Sequence, residues 1–409
     1  MQNIFLYLYT FSLSFEGYQI FGVDFFSLPK FFAVLYMFTF LTRFKKFFVS
    51  SRNFSYIWPI FLYYVIFTLV SVYNINHYSQ NIFLPSFILN VLMFSLILNH
   101  SRHNYLILDR ALISFSVGVA IVAMLMLLGV GLEVDSESRE TFMVSGKNEL
   151  AMKITGALMV FLILLIKRNE IIGLGKFLIR KIYLILLIPI MFYAVLNSGS
   201  RTAVLTFFLC IFVWFLSEVI GHEGKKSFRF VKSFLWLSIV LVITLFFTSQ
   251  SEVVVNRFFG GDGISTRELG GRVIIWEGYY NLLLQNVFFG YGLPGFELEA
   301  FQIFGAVWDP HNSLLKIMLY TGLVGLFVFL IFFQKIVMAT YGLLMKSNLL
   351  LPSLLFVVYL GFFFSLQALT DKFCWFVLAY IVGTKLWSPK SRHYFKHDKE
   401  PRRKSSVVV

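Results

Sequence analysis

The sequence predicts an all-α protein: a polytopic transmembrane helical bundle of about twelve spans with one structured external loop. Three observations carry this. Of 409 residues, 58% are hydrophobic and only 14% charged, against roughly 45–50% and about 25% in soluble domains. The apolar residues gather into runs close to the length a bilayer requires. The basic residues lie mostly on one alternating set of connections, as they do when a chain is threaded through a membrane. This composition excludes a water-soluble enzyme, a nucleic-acid binder and a disordered chain.

The expected spans begin near Ile4, Leu28, Phe54, Ile82, Ala111, Leu150, Ile182, Thr202, Ser233, Ser313, Leu350 and Phe373. The first is short and interrupted by Glu16, and the seventh ends by Leu196. With a cytoplasmic N-terminus, the inside connections hold 25 of the 35 Lys and Arg, while the opposite side holds 15 of the 21 acidic residues. The formal charge of +14 therefore records topology and contact with anionic membrane lipid, and no nucleic-acid partner is expected. The basic tail within residues 387–409 reads the same way. Met1-Gln2-Asn3 offers no basic leader and Ile4 onward no small-residue cleavage site, so no removable signal peptide is expected. Cys210 and Cys374 lie inside apolar runs, which excludes a disulfide framework or zinc-ligand spacing.

The chain reads as one transmembrane domain, residues 1–409, in which residues 250–310 form a long external loop. Loops of that length in a compact architecture are usually functional or disordered. Trp276, Tyr279, Tyr280, Phe288, Phe289, Tyr291 and Trp308 argue for a structured, lid-like loop, helical from Gly271 to Gln285. A shorter acidic loop, Glu133–Lys147, carries Arg139.

With most cations inside, the few outside become informative. Ser145-Gly146-Lys147-Asn148 opens the sixth span, Ser198-Gly199-Ser200-Arg201-Thr202 the eighth, and Asp309-Pro310-His311-Asn312-Ser313 the tenth. Asp309 and Ser198 or Ser200 suit the N-cap, and Pro310 the first turn. A cation in a first turn opposes the helix dipole by about 0.3–1 kcal/mol. An anion bound there would meet both the cation and the free N–H groups of the helix start. Three such entries suggest a shared anion site. Read singly, Arg201 could instead snorkel to headgroups, and Lys147 lies nearer water. In the loop, Arg272 and Trp276 are four apart and share a helical face. A guanidinium there can grip a phosphate bidentately while the indole packs on a sugar; the alternative for Trp276 is loop core. Gly290-Tyr291-Gly292-Leu293-Pro294-Gly295 reads as structural. His311 near a helix start should be held neutral, the state a general base needs; a capping histidine is the alternative. Among seven histidines only His77 and His311 face outside, and no external Asp-x-Asp exists, so no metal and no cofactor are expected.

In order and spacing, Ser198-Gly-Ser-Arg201, Arg272-x-x-x-Trp276, Gly290-Tyr-Gly292, His311-Asn312 and Thr321-Gly322-x-x-Gly325 resemble the bacterial O-antigen ligase/polymerase family of membrane glycosyltransferases. The resemblance runs from about Asn197 to Leu330. It implies a C-type glycosyltransferase membrane fold in the bacterial inner membrane. It also implies metal-independent, inverting transfer at the periplasmic face from an undecaprenyl-diphosphate-linked glycan. The acceptor would be a lipid-linked repeat unit, for a polymerase, or lipid A core, for a ligase. A chain-length regulator protein is an implied partner. By position, Arg201 and Arg272 match the family's diphosphate-binding arginines and His311 its essential histidine. Trp276, Asn312, Lys147 and Arg139 complete the expected substrate-binding set, with Glu277 and Asp309 as fallback bases. The short loop and the Pro-His-Asn-Ser form favour a polymerase. A flippase or other transporter should place ionisable groups mid-span, whereas here they cluster at outer helix ends.

Overall fold

The computed structural model describes residues 1–16, 27–41, 50–74, 83–134, 140–142, 146–167, 181–220 and 266–388. The described chain is overwhelmingly helical. α1 (Gln2–Ser12) leads through a 3₁₀ turn to α2 (Leu28–Leu41), α3 (Ser51–Tyr73), α4 (Phe83–His103) and α5 (Leu106–Leu127). After a short hairpin come α6 (Lys147–Ile166), α7 (Lys181–Asn197) and α8 (Arg201–Ile220). The C-terminal part holds α9 (Thr266–Gln285), α10 (Gly292–Phe304), α11 (Ser313–Ser347), α12 (Leu351–Ser365) and α13 (Lys372–Trp387). The expected start at Ser233 lies outside the described residues, as do residues 250–265, Arg139 and the basic tail from 389. The other expected starts fall on or beside a helix.

Among the described residues, five helices are long and apolar enough to cross a membrane: Ser51–Tyr73, Leu106–Leu127, Lys147–Ile166, Arg201–Glu218 and Ser313–Ser347. Leu28–Phe40, Lys181–Asn197 and Leu351–Ser365 are apolar but shorter. The all-α reading misses one feature. β1 (Leu132–Val134) and β2 (Glu140–Phe142) pair antiparallel, Leu132 opposite Phe142, and Phe142 seats the hairpin against Phe15 at 6.1 Å between ring centroids. Three-residue strands give too little alternation to be seen in sequence.

α13 is buried from Lys372 to Thr384 and apolar on every face, the pattern of a helix enclosed by others. Phe115 stacks on Phe373 at 4.5 Å, and Trp375 meets Phe87 at 5.6 Å. Such aromatic pairs add about 0.5–1.5 kcal/mol beyond burial. Polar ties hold helices whose apolar faces would otherwise be equally content in lipid. Asn53 donates to Asn99 at 2.8 Å, and Asn90 donates to the Thr370 carbonyl at 2.8 Å.

A second, smaller core seats α9 and α10 against α3 and α11. Phe67 of α3, Tyr279, Leu282 and Leu283 of α9, Leu293 and Phe296 of α10, and Leu319 and Tyr320 of α11 pack together. α9 and α10 approach closely at Gly278, where a Cβ would stand 2.5 Å from Phe304 Cζ.

This α9–α10 unit is fastened to α11 through main chain. α11 is broken at Gly322 (φ 59°, ψ −159°), a conformation open essentially to glycine alone. At the break, Leu323 N–H donates to Val287 O at 2.8 Å, Val324 N–H to Phe288 O at 3.2 Å, and Tyr291 N–H to Leu319 O at 2.8 Å. A Cβ on Gly322 would lie 2.3 Å from the Phe288 carbonyl, and one on Gly290 2.6 Å from Leu319 O. The Gly-Tyr-Gly and Thr-Gly-x-x-Gly stretches are thus two halves of one backbone joint, in keeping with the structural reading of the first.

Candidate active site

The site is built on the turn that leads into α11. The sequence predicts that Asp309 caps this helix with Pro310 in its first turn; the structure corrects this. Asn312 is the N-cap, its side-chain oxygen accepting from Leu315 N–H at 3.1 Å, and Pro310 lies two residues before it. Asn312, expected to bind substrate, thus uses its side-chain oxygen to cap α11. Asp309 does a different job. Its Oδ1 accepts from the His311 backbone N–H at 2.7 Å. Its Oδ2 accepts from Gln367 Nε2 at 2.6 Å and from Lys316 Nζ. These three donors engage both oxygens of the carboxylate.

His311 adopts a left-handed backbone conformation, φ 48°, which costs a non-glycine residue roughly 1–2 kcal/mol and persists where neighbours over-determine it. Its ring is about half exposed, with Nδ1 3.7 Å from Asp309 Oδ1, too far for a hydrogen bond. The imidazole therefore projects from a fixed backbone without being locked to a carboxylate. Burial lowers its pKa from the usual histidine value; Asp309 opposes that, and Arg272 and Lys316 reinforce it. The expected neutral imidazole follows, but burial leads the causes and nearby cations assist.

α9 brings Arg272 and Trp276 to this turn. Trp276 Nε1 donates to the Pro310 carbonyl at 2.8 Å, and Arg272, one turn earlier on α9 and half-buried, is close enough to bear on His311 electrostatically. Tyr279 donates to the Trp308 carbonyl. Trp276 is 37% exposed, so its side chain is only partly enclosed despite this anchoring bond.

Arg201 opens α8. Ser200 Oγ accepts from Ala203 N–H at 3.3 Å, the capping role expected of it, and Gly199 makes the turn at φ 62°. One turn beyond Arg201, Thr206 meets Met152 of α6 and Gly361 of α12: a Cβ on Gly361 would lie 2.5 Å from Thr206 Oγ1 and 2.2 Å from Met152 Cε. This sets the starts of α6 and α8 at the same end of the bundle as the α12–α13 connection that holds Asp309. Lys147 is the first residue of α6, half-buried. The structure thus gathers Arg272, Trp276 and His311 at one turn and places Arg201 and Lys147 at neighbouring helix starts.

Sequence reasoning overlooked a buried ionic cluster at this end. Lys153 contacts Glu16 and Glu149 at 2.6 Å each and Asp371 at 3.4 Å, and Lys372 pairs with Glu16. Glu16, which interrupts the first apolar run, is the acceptor that joins α6 to α13. The three carboxylates converge closely enough to suit a cation, but the Lys153 ammonium already lies among them. Charged residues at the starts of two apolar spans were the available signal.

These features define a polytopic helical membrane protein with a cationic, histidine-bearing site at one end of its bundle. A family model described as O-antigen ligase matches residues 185–330, a segment that contains Arg201, Arg272, Trp276 and His311. The match covers roughly a third of the chain and falls on the segment that carries the resemblance read from the sequence. No curated protein matches it.

Proposed function

We propose that this protein is an O-antigen polymerase-like glycosyltransferase. It would join undecaprenyl-diphosphate-linked oligosaccharide repeat units at the periplasmic face of the inner membrane, with the twelve-span C-type arrangement, periplasmic residues 250–310 and a cytoplasmic tail. The observation that carries the reading is the meeting of Arg272, Trp276 and the backbone-fixed His311 at one turn, inside the family-matched segment.

In this reading Arg201 and Arg272 hold the diphosphate, with Lys147 and Arg139 supplementing the positive field. The acceptor hydroxyl attacks the anomeric carbon from the face opposite the diphosphate. As the new C–O bond forms, the bond to the diphosphate breaks and inverts the centre. The arginines take up the charge that develops on the leaving group, and His311 accepts the hydroxyl proton. Trp276 packs on a sugar ring. The chemistry needs neither metal nor cofactor.

A second reading, transfer of the finished glycan to lipid A core, is favoured by the description of the matching family, O-antigen ligase. The lipopolysaccharide banding pattern of a deletion strain separates the two. Core bearing single repeats is the polymerase result; core without any repeats is the ligase result and overturns the polymerase reading.

A further inference from the structure

The Asp309 carboxylate is held from a part of the chain that lies outside the family-matched segment. Gln367 sits in the connection between α12 and α13 and reaches Asp309 Oδ2 at 2.6 Å. Its own amide is fixed in turn: Oε1 accepts from Thr370 Oγ1 at 3.2 Å, and its backbone carbonyl accepts the N–H groups of Thr370 at 3.3 Å and Asp371 at 3.2 Å. The same connection is strapped to the start of α11. Ser313 Oγ donates to Leu366 O at 3.1 Å and accepts from Ala368 N–H at 3.0 Å. On its far side, Asp371 caps α13 through Cys374 N–H at 2.7 Å and faces Lys153. Lys316, almost fully buried in the first turns of α11, gives Asp309 Oδ2 its second donor.

We infer that Gln367 is a positioning residue for the reaction: with Lys316, it orients the Asp309 carboxylate so that the other oxygen holds His311 in its left-handed backbone conformation. The logic is geometric. A carboxylate free to rotate would offer either oxygen to the His311 N–H, and the turn would relax toward ordinary backbone angles, swinging the imidazole away from the acceptor. Two donors on Oδ2 leave Oδ1 as the oxygen facing His311. Small displacements of a reacting group cost large factors in rate while leaving binding contacts made elsewhere intact. This inference rests on the proposed role of His311.

The test uses the full-length protein, purified in lipid nanodiscs, with undecaprenyl-diphosphate-linked repeat units extracted from a strain lacking this protein. Gln367→Met keeps the side chain's length and removes the donor. Its turnover should fall about tenfold, with KM for the carrier-linked glycan unchanged within about twofold. In an Asp309→Asn background the same change should cost less than about twofold, because two residues acting through one carboxylate are not additive. Should Gln367→Met lower the thermal midpoint appreciably, Gln367→Asn, with the amide kept but its reach shortened, should show the same loss confined to turnover. Turnover equal to the unaltered protein, a defect in KM alone, or an equal loss with and without Asp309 would each overturn the inference. His311→Ala is run alongside. If it is inactive while Gln367→Met is normal, only the positioning role falls. If His311→Ala retains full turnover, the reading of the site falls and takes this inference with it.

Discussion

The indole N–H of Trp276 donates to the carbonyl of Pro310 across 2.8 Å, so α9 is tied to the residue immediately before His311. This bond lets a residue of α9 set the position of a group at the head of α11. Trp276→Phe keeps an aromatic face and loses the donor. Turnover should fall roughly three- to tenfold, in line with one lost hydrogen bond of about 0.5–1.5 kcal/mol, and Trp276→Ala should fall further. A Phe variant with normal turnover, measured on purified carrier-linked substrate, would leave Trp276 a packing residue only.

Arg201→Lys and Arg272→Lys should each abolish most activity although charge is retained, since an ammonium cannot reproduce a planar, bidentate grip on a diphosphate. Arg257→Lys, which has no motif context, should be mild. Equal tolerance of lysine at all three positions, scored by lipopolysaccharide banding on complementation, would return Arg201 to a lipid-anchoring role.

The environment of His311 gives the pH dependence a sign. Burial, Arg272 and Lys316 lower its pKa below the usual histidine value, and a base works only when neutral. Activity should therefore persist below pH 6.5, a typical histidine value, and be lost as pH falls through the depressed pKa. Removing a cation that lowers the pKa must raise it, so any residual activity of Arg272→Gln should lose its acid limb at higher pH. His311→Gln should show almost no turnover, a loss of roughly 10²–10⁴-fold, with donor binding nearly intact. Near-normal turnover of His311→Gln would reassign the residue to orienting the acceptor.

The meeting of Arg272, Trp276 and His311 at one turn was only partly legible in the sequence. Arg201 and His311 stand out as a charge and a polar ring at the heads of apolar helices, and Arg272 and Trp276 as a pair four apart on one helical face. Asp309 was visible too, but its role was misjudged. Local capping rules look only at the helix it precedes, whereas its partners Lys316 and Gln367 lie seven and 58 residues onward. Gln367 offered no signal, as a neutral amide in a short connection fits many roles. The break at Gly322 was hidden for a related reason: hydropathy runs smoothly through it, and its cause is the backbone of another segment.

Gly322→Ala tests that joint. The new Cβ would meet the Phe288 carbonyl at 2.3 Å in a backbone region closed to alanine. A cost of about 1–3 kcal/mol from strain alone is expected, with further overpacking. The purified variant should show a clearly lower thermal midpoint and faster proteolysis within residues 266–304. An unchanged midpoint would mean that the joint does not hold the loop.

Activity should survive EDTA. The place where Glu16, Glu149 and Asp371 converge is filled by the Lys153 ammonium, and the proposed chemistry neutralises the diphosphate with guanidinium groups. Loss of turnover in EDTA with recovery in magnesium or manganese would overturn the metal-independent mechanism.

The joint between Val287–Tyr291 and the Gly322 break consists of peptide groups, which any sequence supplies. Side chains displayed on the outer surfaces of α9 and α10 can therefore be exchanged without altering how that hairpin is seated, provided Gly290 and Gly322 stay. On the proposed function, selectivity for a particular glycan and integrity of the helical bundle become separable traits. The outer positions between Thr266 and Phe304 are then the ones to vary, with Arg272, Trp276 and the packed residues Tyr279, Leu282, Leu283, Leu293 and Phe296 kept.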